Sequence, residues 1–600
     1  AKPYLKAFRA DGSLDTEGLN RDGFDVTPYV SLNNTVLNTA NDEEIKIVGS
    51  VNSSFEIVPN LRAAAQFGLD FTQRNDLDIT SPLSIYGQNA PDPSSEIKGS
   101  QFEQQVRDLQ ISSNVSLTYS NVFADKHSVE VAGYAEFNKN FLDAQGFTGF
   151  GIDPRIEGFN FAPGDLREFP DVDPGDESLA NLQLYYIPTV FSNRTEVSLF
   201  SYFGLLNYDF DGKYGFDASI RRDASSRFND TNKWGTFWSV AGRWNIHEED
   251  FLNNSEIVDQ LKLRASYGTS GNDRITGGRF GGTTLTSNLY SVGGGYNASQ
   301  AVFASSLANP DLKWETTEQF NVGLDFGLFG RVTGTLDFYD KRTKDLFYAT
   351  PNTLISTFGT ISRNIGSMSN KGVELSLNVD IFNNEDFRWS VNVNGAINKN
   401  EITDLLDGEL IEAGRVALQE GRPFNSFYAV RWAGVNPANG QPIYLDADGN
   451  PTSQYNTDNR VFVDKSTIPE LTGGFGTSIS YKGLSLDALF SFVGDVYRYN
   501  NAFGVAEDPT LISLANMSTT MNNIWQQPGD ITDIPSANAG STRNLLSDRY
   551  LENASYLRLR NITLAYTLQR DILDRIPISG ARIYLQGENM LTWTGWRGFD

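Results

Sequence analysis

Cysteine is absent from the 600 residues, so neither a disulfide nor a thiolate metal site can form. Histidine occurs twice, at His127 and His247, and neither stands in a metal-ligand spacing. No HExxH, P-loop or nucleophile-elbow pattern occurs, which removes the common short signatures of metal, phosphate and serine chemistry. Nowhere does the chain run apolar for about 18 residues, so it holds no transmembrane helix. That leaves a barrel open, because a barrel strand needs only about 10 residues, half of them facing lipid. Basic residues are outnumbered 48 to 74, for a net charge of −26, which argues against a nucleic-acid partner. The acidic excess reads chiefly as solubilising charge in loops. No charged-then-apolar signal segment opens the chain at Ala1, so a leader was removed or the chain starts within a longer precursor.

What is present is aromatic and alternating. With 40 Phe, 25 Tyr and 9 Trp, aromatics reach 12% of the chain, and barrels place such residues in their interfacial girdles. In Tyr214-Gly-Phe216-Asp-Ala218-Ser-Ile220-Arg221 every second residue is apolar. The same rule runs through Leu261–Tyr267, Phe320–Phe326, Val373–Ile381 and Phe387–Asn394. Alternation puts one face of a strand in an apolar medium and the other in a polar one. A soluble antiparallel sheet alternates too. Three features favour a barrel: segments of about 9–12 residues, charge in mid-strand, and alternating connection lengths. The mid-strand charges are Arg221, Arg243, Arg264, Asp325, Asp337, Glu374 and Arg582, which a wet lumen tolerates and a packed core does not.

The pattern predicts sixteen spanning strands, near 45–57, 61–72, 109–119, 127–139, 196–210, 213–222, 235–246, 261–269, 318–328, 331–342, 371–382, 386–398, 471–481, 484–494, 556–568 and 581–592. Tight turns fall at Val58-Pro59-Asn60, Asn121–Lys126, Asp211-Gly212, Phe329-Gly330, Phe382–Glu385 and Lys482-Gly483. Long loops lie near 73–108, 140–195, 270–317, 343–370, 399–470 and 495–555. Short periplasmic turns and long external loops are the signature of an outer-membrane barrel. The fold class is therefore all-β: one large antiparallel transmembrane β-barrel over 1–600. A parity count adds detail. Phe424–Val435 looks like a strand, yet counting it as spanning would turn Lys482-Gly483 to the outside. It is therefore expected in a folded external loop, paired with Pro442–Leu445. The same count leaves Asp600 on the external side, so a closing strand is expected beyond it. The apolar phase slips near Asn561, which suggests a bulge.

Candidate binding residues are few. Asp446-Ala-Asp448-Gly-Asn450 carries the alternating oxygens of a calcium loop. The later Glu is missing and Asp-Gly is an ordinary turn, so a turn is the favoured reading and calcium the alternative cofactor. The acidic stretch from Asp153 to Glu177 reads as a solvated loop before a cation site. Gly277-Gly278-Arg-Phe-Gly281-Gly282 and Gly293-Gly294-Gly295 precede no helix and read as loop, not as a phosphate cradle. Trp314, Trp432, Trp525, Trp593 and Trp596 lie in or beside external loops. Girdle or loop packing is their favoured role, and stacking on sugars or on a partner the alternative. The lumen-facing ligand candidates are Arg221, Arg243, Arg264, Asp325, Asp337 and Glu374. No residue set suggests catalysis, so an enzyme is not expected.

Several segments resemble the SusC/RagA family of TonB-dependent outer-membrane transporters. They are Asn309-Pro-Asp-Leu-Lys-Trp-Glu-Thr-Thr-Glu-Gln-Phe-Asn-Val-Gly-Leu324, Asn370-Lys-Gly-Val-Glu-Leu-Ser-Leu377 and Gly421-Arg-Pro-Phe-Asn-Ser-Phe-Tyr428. Leu471-Thr-Gly-Gly-Phe-Gly476, Ala554-Ser-Tyr-Leu-Arg-Leu-Arg-Asn-Ile-Thr-Leu-Ala-Tyr566 and Gly587-Glu-Asn-Met-Leu-Thr592 add to the resemblance. It covers most of 300–600 and reaches the earlier part more loosely. The resemblance implies a barrel of 22 strands, an N-terminal plug and a TonB box read by TonB–ExbB–ExbD. It implies a SusD-like surface lipoprotein as lid, import of glycans or oligopeptides in Bacteroidota, and often dimers of transporter–lipoprotein pairs. No plug or TonB-box pattern is visible in this chain, so the expectation is a partial barrel lacking plug, first strands and a closing strand. A barrel acting as scaffold or conduit in a surface or secretion complex is the alternative function.

Overall fold

The computed structural model describes residues 28–89, 98–152, 189–252, 255–275, 278–294, 300–351, 358, 360–511, 517–542, 545–568 and 580–598. One antiparallel sheet of sixteen strands dominates, in chain order throughout. Its strands are β1 Thr39–Val58, β2 Leu61–Thr80, β3 Ser100–Phe123, β4 His127–Phe150, β5 Thr189–Phe210 and β6 Tyr214–Ser225. β7 Trp234–Asn245, β8 Val258–Asn272, β9 Glu315–Leu328, β10 Val332–Lys344 and β11 Ser367–Asn383 follow. The last are β12 Phe387–Asp404, β13 Leu471–Tyr481, β14 Leu484–Gly494, β15 Tyr556–Thr567 and β16 Arg582–Thr594. Every strand expected from the alternation is present. β1 and β16 have no second neighbour among the described residues.

The tight turns hold because their residues accept left-handed backbone. Asn60, Asp125, Asp211, Phe329 and Lys482 all have positive φ, the last three just before a glycine. Two successive left-handed residues give the turn whose twist matches that of the paired strands. At the opposite end lie the long connections. Several are shorter than the alternation implies, because β2 runs on to Thr80, β3 starts at Ser100, β4 reaches Phe150 and β5 starts at Thr189. Beyond the apolar stretch the outward positions of these strands turn polar, as at Gln73, Asn75, Gln105 and Gln145. The ladder continues where the two-residue hydrophobic signal stops.

The outer face is apolar and uncovered. On β6 it carries Tyr214, Phe216 and Ile220, all exposed, and on β10 Leu336 and Phe338. Aromatics bracket it. Tyr214 stacks on Trp244 at the short-turn end, with ring centroids 6.4 Å apart. At the loop end Trp234 packs against Tyr202 at 5.9 Å. From Trp234 to Trp244 the strand covers roughly 33 Å, which at a tilt of about 40° is close to the ~25 Å lipid band of a barrel. No helix among the described residues is long and apolar enough to cross a membrane; the strands do the crossing.

The buried hydrophobic core lies mainly in and under the loops. Ile365, Ile402, Leu405, Ile411 and Leu418 form one cluster, and Phe228, Phe237, Leu312 and Trp314 another. As the parity count required, Phe424–Val435 does not span. Ser426–Val430 pairs with Arg460–Ser466, and Trp432–Val435 with Pro442–Leu445. The phase slip near Asn561 is a bulge: the register of β15 shifts between Leu559 and Asn561 against both neighbours.

Candidate site on the lumen wall and loop mouth

Alternation delivers the mid-strand charges to the inner face, and register brings them together. Arg264 on β8 reaches across β9 to β10. Its guanidinium donates to Asp325 at 2.7 Å and to Asp337 at 3.2 Å. Lys262 joins the same carboxylate of Asp325 at 2.9 Å. The position between them must be small. Gly323 lies directly across from both Arg264 and Asp337, and a Cβ there would fall 2.6 Å from the Arg264 Nη2. Arg243 donates to Asp209 at 2.5 Å, with Gly215 opposite it leaving the same kind of room. Arg221 bridges Glu136 at 3.0 Å and Asp223 at 2.7 Å, with its plane 4.6 Å above the Phe203 ring. Glu374 sits across from Asp337 in the register and is exposed to the lumen. The six lumen-facing candidates therefore fall into three clusters on one wall. Five of them are held in ion pairs.

Alternation alone does not single out the amide group beside them. Tyr339 Oη donates to Asn398 at 3.1 Å, and Asn398 and Asn400 both donate to Asn370, at 3.2 and 2.9 Å. Asn400 in turn accepts the Phe424 N–H at 2.7 Å and so ties the wall to the loop region. The sequence signal was the asparagine repeated on the polar side of β12.

The loop between β8 and β9 folds over the mouth. Arg227, buried, donates to Asp273 at 2.6 Å and to the Gly281 carbonyl at 3.1 Å, and also to the Arg279 carbonyl. Ser225 donates to the same Asp273 at 2.7 Å. Arg279 itself reaches Asp108 on the inner face of β3 at 3.0 Å. The Gly-rich stretch thus presents carbonyls to an arginine, consistent with the loop reading.

The loop tryptophans are packed. Trp314 is buried between Phe228 and Phe237, its N–H on the Lys233 carbonyl at 3.0 Å. Trp525 donates to the Pro437 carbonyl at 3.1 Å and lies against Gly440. Trp432, like Trp525, keeps partial exposure. Its indole donates to Asp533 at 2.8 Å, and the Arg549 guanidinium lies 4.4 Å from its ring. Below it Asp548 accepts the Trp432 backbone N–H at 2.7 Å, while burial pushes that carboxyl above the usual range. Burial likewise pushes Tyr444 and Tyr499 up to about 12. Trp593 is exposed on the outer face of β16. Asp446 closes a turn: both of its oxygens receive Asn450, by the backbone N–H at 2.8 Å and the side-chain amide at 3.2 Å. The backbone donor holds the Asp446 carboxyl below the usual range. Asp448 and Asn450 are not gathered with other acids, and no metal-binding cluster of three or more acidic or imidazole groups exists among the described residues. The acidic stretch from Asp153 lies outside the described residues. His127 is bonded to the Tyr208 hydroxyl at 2.8 Å and His247 to the Leu261 carbonyl at 3.1 Å.

A family model described as TonB dependent receptor-like, beta-barrel, matches residues 6–590. The chain belongs to this family. It is a TonB-dependent receptor barrel of the outer membrane, SusC- and RagA-like, and the family comprises transporters, not enzymes. TonB-dependent receptor P3 of Formosa agariphila is 32% identical over 445 residues, covering 69% of this chain and 42% of that protein. TonB-dependent receptor SusC of Bacteroides thetaiotaomicron is 29% identical over 581 residues, 92% of this chain and 52% of that protein. A structure described as the RagAB peptide transporter superposes with a TM-score of 0.82 at 29% identity, covering 99% of this chain and 63% of that one. The chain thus spans about half the length of the curated relatives it matches. For this receptor barrel the short turns are periplasmic and the long loops external.

Proposed function

We propose that this barrel is the wall of an importer that takes a bulky nutrient, a glycan or an oligopeptide, across the outer membrane. The observation that carries the reading is the inner wall itself: a polar lumen of paired ions and amides, roofed by folded external loops. Neutralised charges keep the wall wet without trapping a charged substrate, while amides such as Asn370 and Asn398 offer both donors and acceptors. Sugars and peptide backbones both present such groups. The likeness to a peptide transporter over nearly the whole chain supports the same reading.

In this reading a SusD-like surface lipoprotein caps the loop mouth and TonB–ExbB–ExbD supplies the energy through a plug and TonB box. One barrel domain covers the chain, and dimers of transporter–lipoprotein pairs are the expected assembly. The inner Arg221, Arg243, Arg264, Asp325, Asp337 and Glu374 line the route, and Trp432 and Trp525 are the half-exposed tryptophans of the loop mouth. The test is uptake. A strain lacking the gene is offered labelled oligopeptides and glycans, with and without TonB. Loss of uptake of one class, restored by the gene only when TonB is present, is expected. Undiminished uptake of every substrate would sink the reading.

A further inference from the structure

One row of the inner wall crosses six strands. Ser54, Ala64, Ser116, Tyr134, Phe203 and Arg221 stand directly across from one another on β1–β6. Its aromatic end is a stack. The Tyr134 ring lies 4.6 Å from that of Phe203 with 7° between their planes, and the Arg221 guanidinium lies over Phe203 in turn. Glu136 and Asp223 hold Arg221 in place, so the stack is fixed on the wall. Tyr134 stands between Phe203 and Ser116 in the row, so the ring face not given to Phe203 is turned toward Ser116. No second ring and no cation meets Tyr134 among the described residues.

Beyond that face the row drops to Ser116, Ala64 and Ser54, and a cavity of about 440 Å³ opens over them. Its upper edge is a row of amides, Asn52, Gln66 and Asn114, two residues or about 7 Å further along each strand toward the loops. None of the three side chains hydrogen-bonds to another residue among the described residues. The amides of β11 and β12 differ, since Asn398 and Asn400 both bond to Asn370. The lower edge is Arg62, whose charge is offset by Glu56 directly across the strand pair. Tyr134, the amides and Arg62 all line this one cavity, so a single ligand touches them together. The slot is low in the barrel. Ala64 lies three residues past Leu61, the start of β2 at the short-turn end, with sixteen more before Thr80.

We propose that this slot is a saccharide subsite on the periplasmic side of the lumen, where an uncharged glycan rests after it has passed the loop mouth. The C–H groups of a pyranose give it a flat apolar face that matches the open face of Tyr134. Its rim carries hydroxyls that both donate and accept, as the three amides do. An aromatic side chain of a peptide would cover Tyr134 and leave the amides without partners. The volume lies within the ~300–1,000 Å³ of small-molecule sites. The inference rests on the import reading above and narrows its substrate to a glycan.

The test is thiol labelling of the purified full-length protein, otherwise free of cysteine, with Ser116→Cys in the slot floor. A maleimide is added alone, or with maltohexaose, cellohexaose, mannohexaose or an end-capped glycine pentapeptide bearing one central phenylalanine. At least one saccharide should slow labelling severalfold, and the peptide should not. Tyr134→Ala should raise the half-protecting concentration about tenfold, the scale of one aromatic contact, and Tyr134→Trp should leave it near wild type. Gln66→Ala and Asn114→Ala should each raise it about fivefold, the scale of one neutral hydrogen bond. Neither amide bonds to another residue, so these two variants fold even if Tyr134→Ala does not. No protection by any of the three saccharides would overturn the proposal, as would protection unchanged in all three weakening variants. Peptide protection as strong as that of any saccharide would overturn it in favour of a peptide subsite. A thiol that is unreactive without ligand would overturn it in favour of a slot filled by the protein's own plug. Labelling needs no transport, so unchanged uptake in the deletion strain defeats the import reading alone, and the two failures are told apart.

Discussion

Arg279, at the tip of the loop between β8 and β9, donates to Asp108 on β3, a residue 171 positions earlier, at 3.0 Å. A loop leaving one side of the wall is thereby fastened to another side. Both partners are partly exposed, so the pair contributes below about 1 kcal/mol to stability. Its expected effect is on loop order. Arg279→Ala and Asp108→Ala should each speed proteolysis within residues 278–288, and the double variant should be no faster than either single one. Additive rates in the double variant would show that the contact does not hold the loop.

The assignment of faces predicts opposite outcomes for adjacent residues. Leu336 points outward and Thr335 inward on β10. Leu336→Arg places a charge in lipid and should cost about 2–4 kcal/mol, while Thr335→Arg enters the wet lumen at a cost near zero. Unfolding titrations of the reconstituted barrel measure both.

Ile402 is 1% exposed and Leu418 2%, in the core beneath the external loops. Ile402→Ala or Leu418→Ala should destabilise that region by about 2–5 kcal/mol through lost burial and the cavity left behind. Proteolysis should then open 405–470 while the heat-resistant mobility of the barrel on gels is kept.

Tyr444 and Tyr499 are pushed up to about 12 in the folded loops, against 10.0 for the free side chain. A raised acid of this kind contributes stability that is complete below pH 10 and is lost as pH rises toward 12. Each contributes roughly 2–3 kcal/mol by linkage. Loop-region melting should therefore fall across that window, and Tyr444→Phe should flatten the fall. An unchanged pH profile in the variant would refute the assignment.

Glu507 and Arg549 are buried together beneath Trp432, 6% and 2% exposed, at 3.8 Å. Removing one partner leaves a buried charge, so Glu507→Gln should cost about 3–5 kcal/mol. Loss of the Trp432 fluorescence environment on mild heating is the readout.

Strand number, face and order were legible in the chain because a lipid–water boundary imposes a period of two that nothing else in these loops imitates. Tyr214, Phe216 and Ile220 announce the outer face, Asp217 and Arg221 the inner, and Lys482-Gly483 the turn that demoted Phe424–Val435. The strand ends past Thr72 and before Leu109 were not legible, since both faces there meet water and alternation carries no signal. Nor did the residue type at Trp314 tell a buried ring from a binding platform; only its packing between Phe228 and Phe237 does. The period along the chain thus determined the barrel strands and which residues share a face. Which charges meet, as Arg264 does with Asp325 and Asp337 or Arg279 with Asp108, was decided by register and loop folding. Those depend on partners tens to hundreds of residues away, and local periodicity holds no information about them.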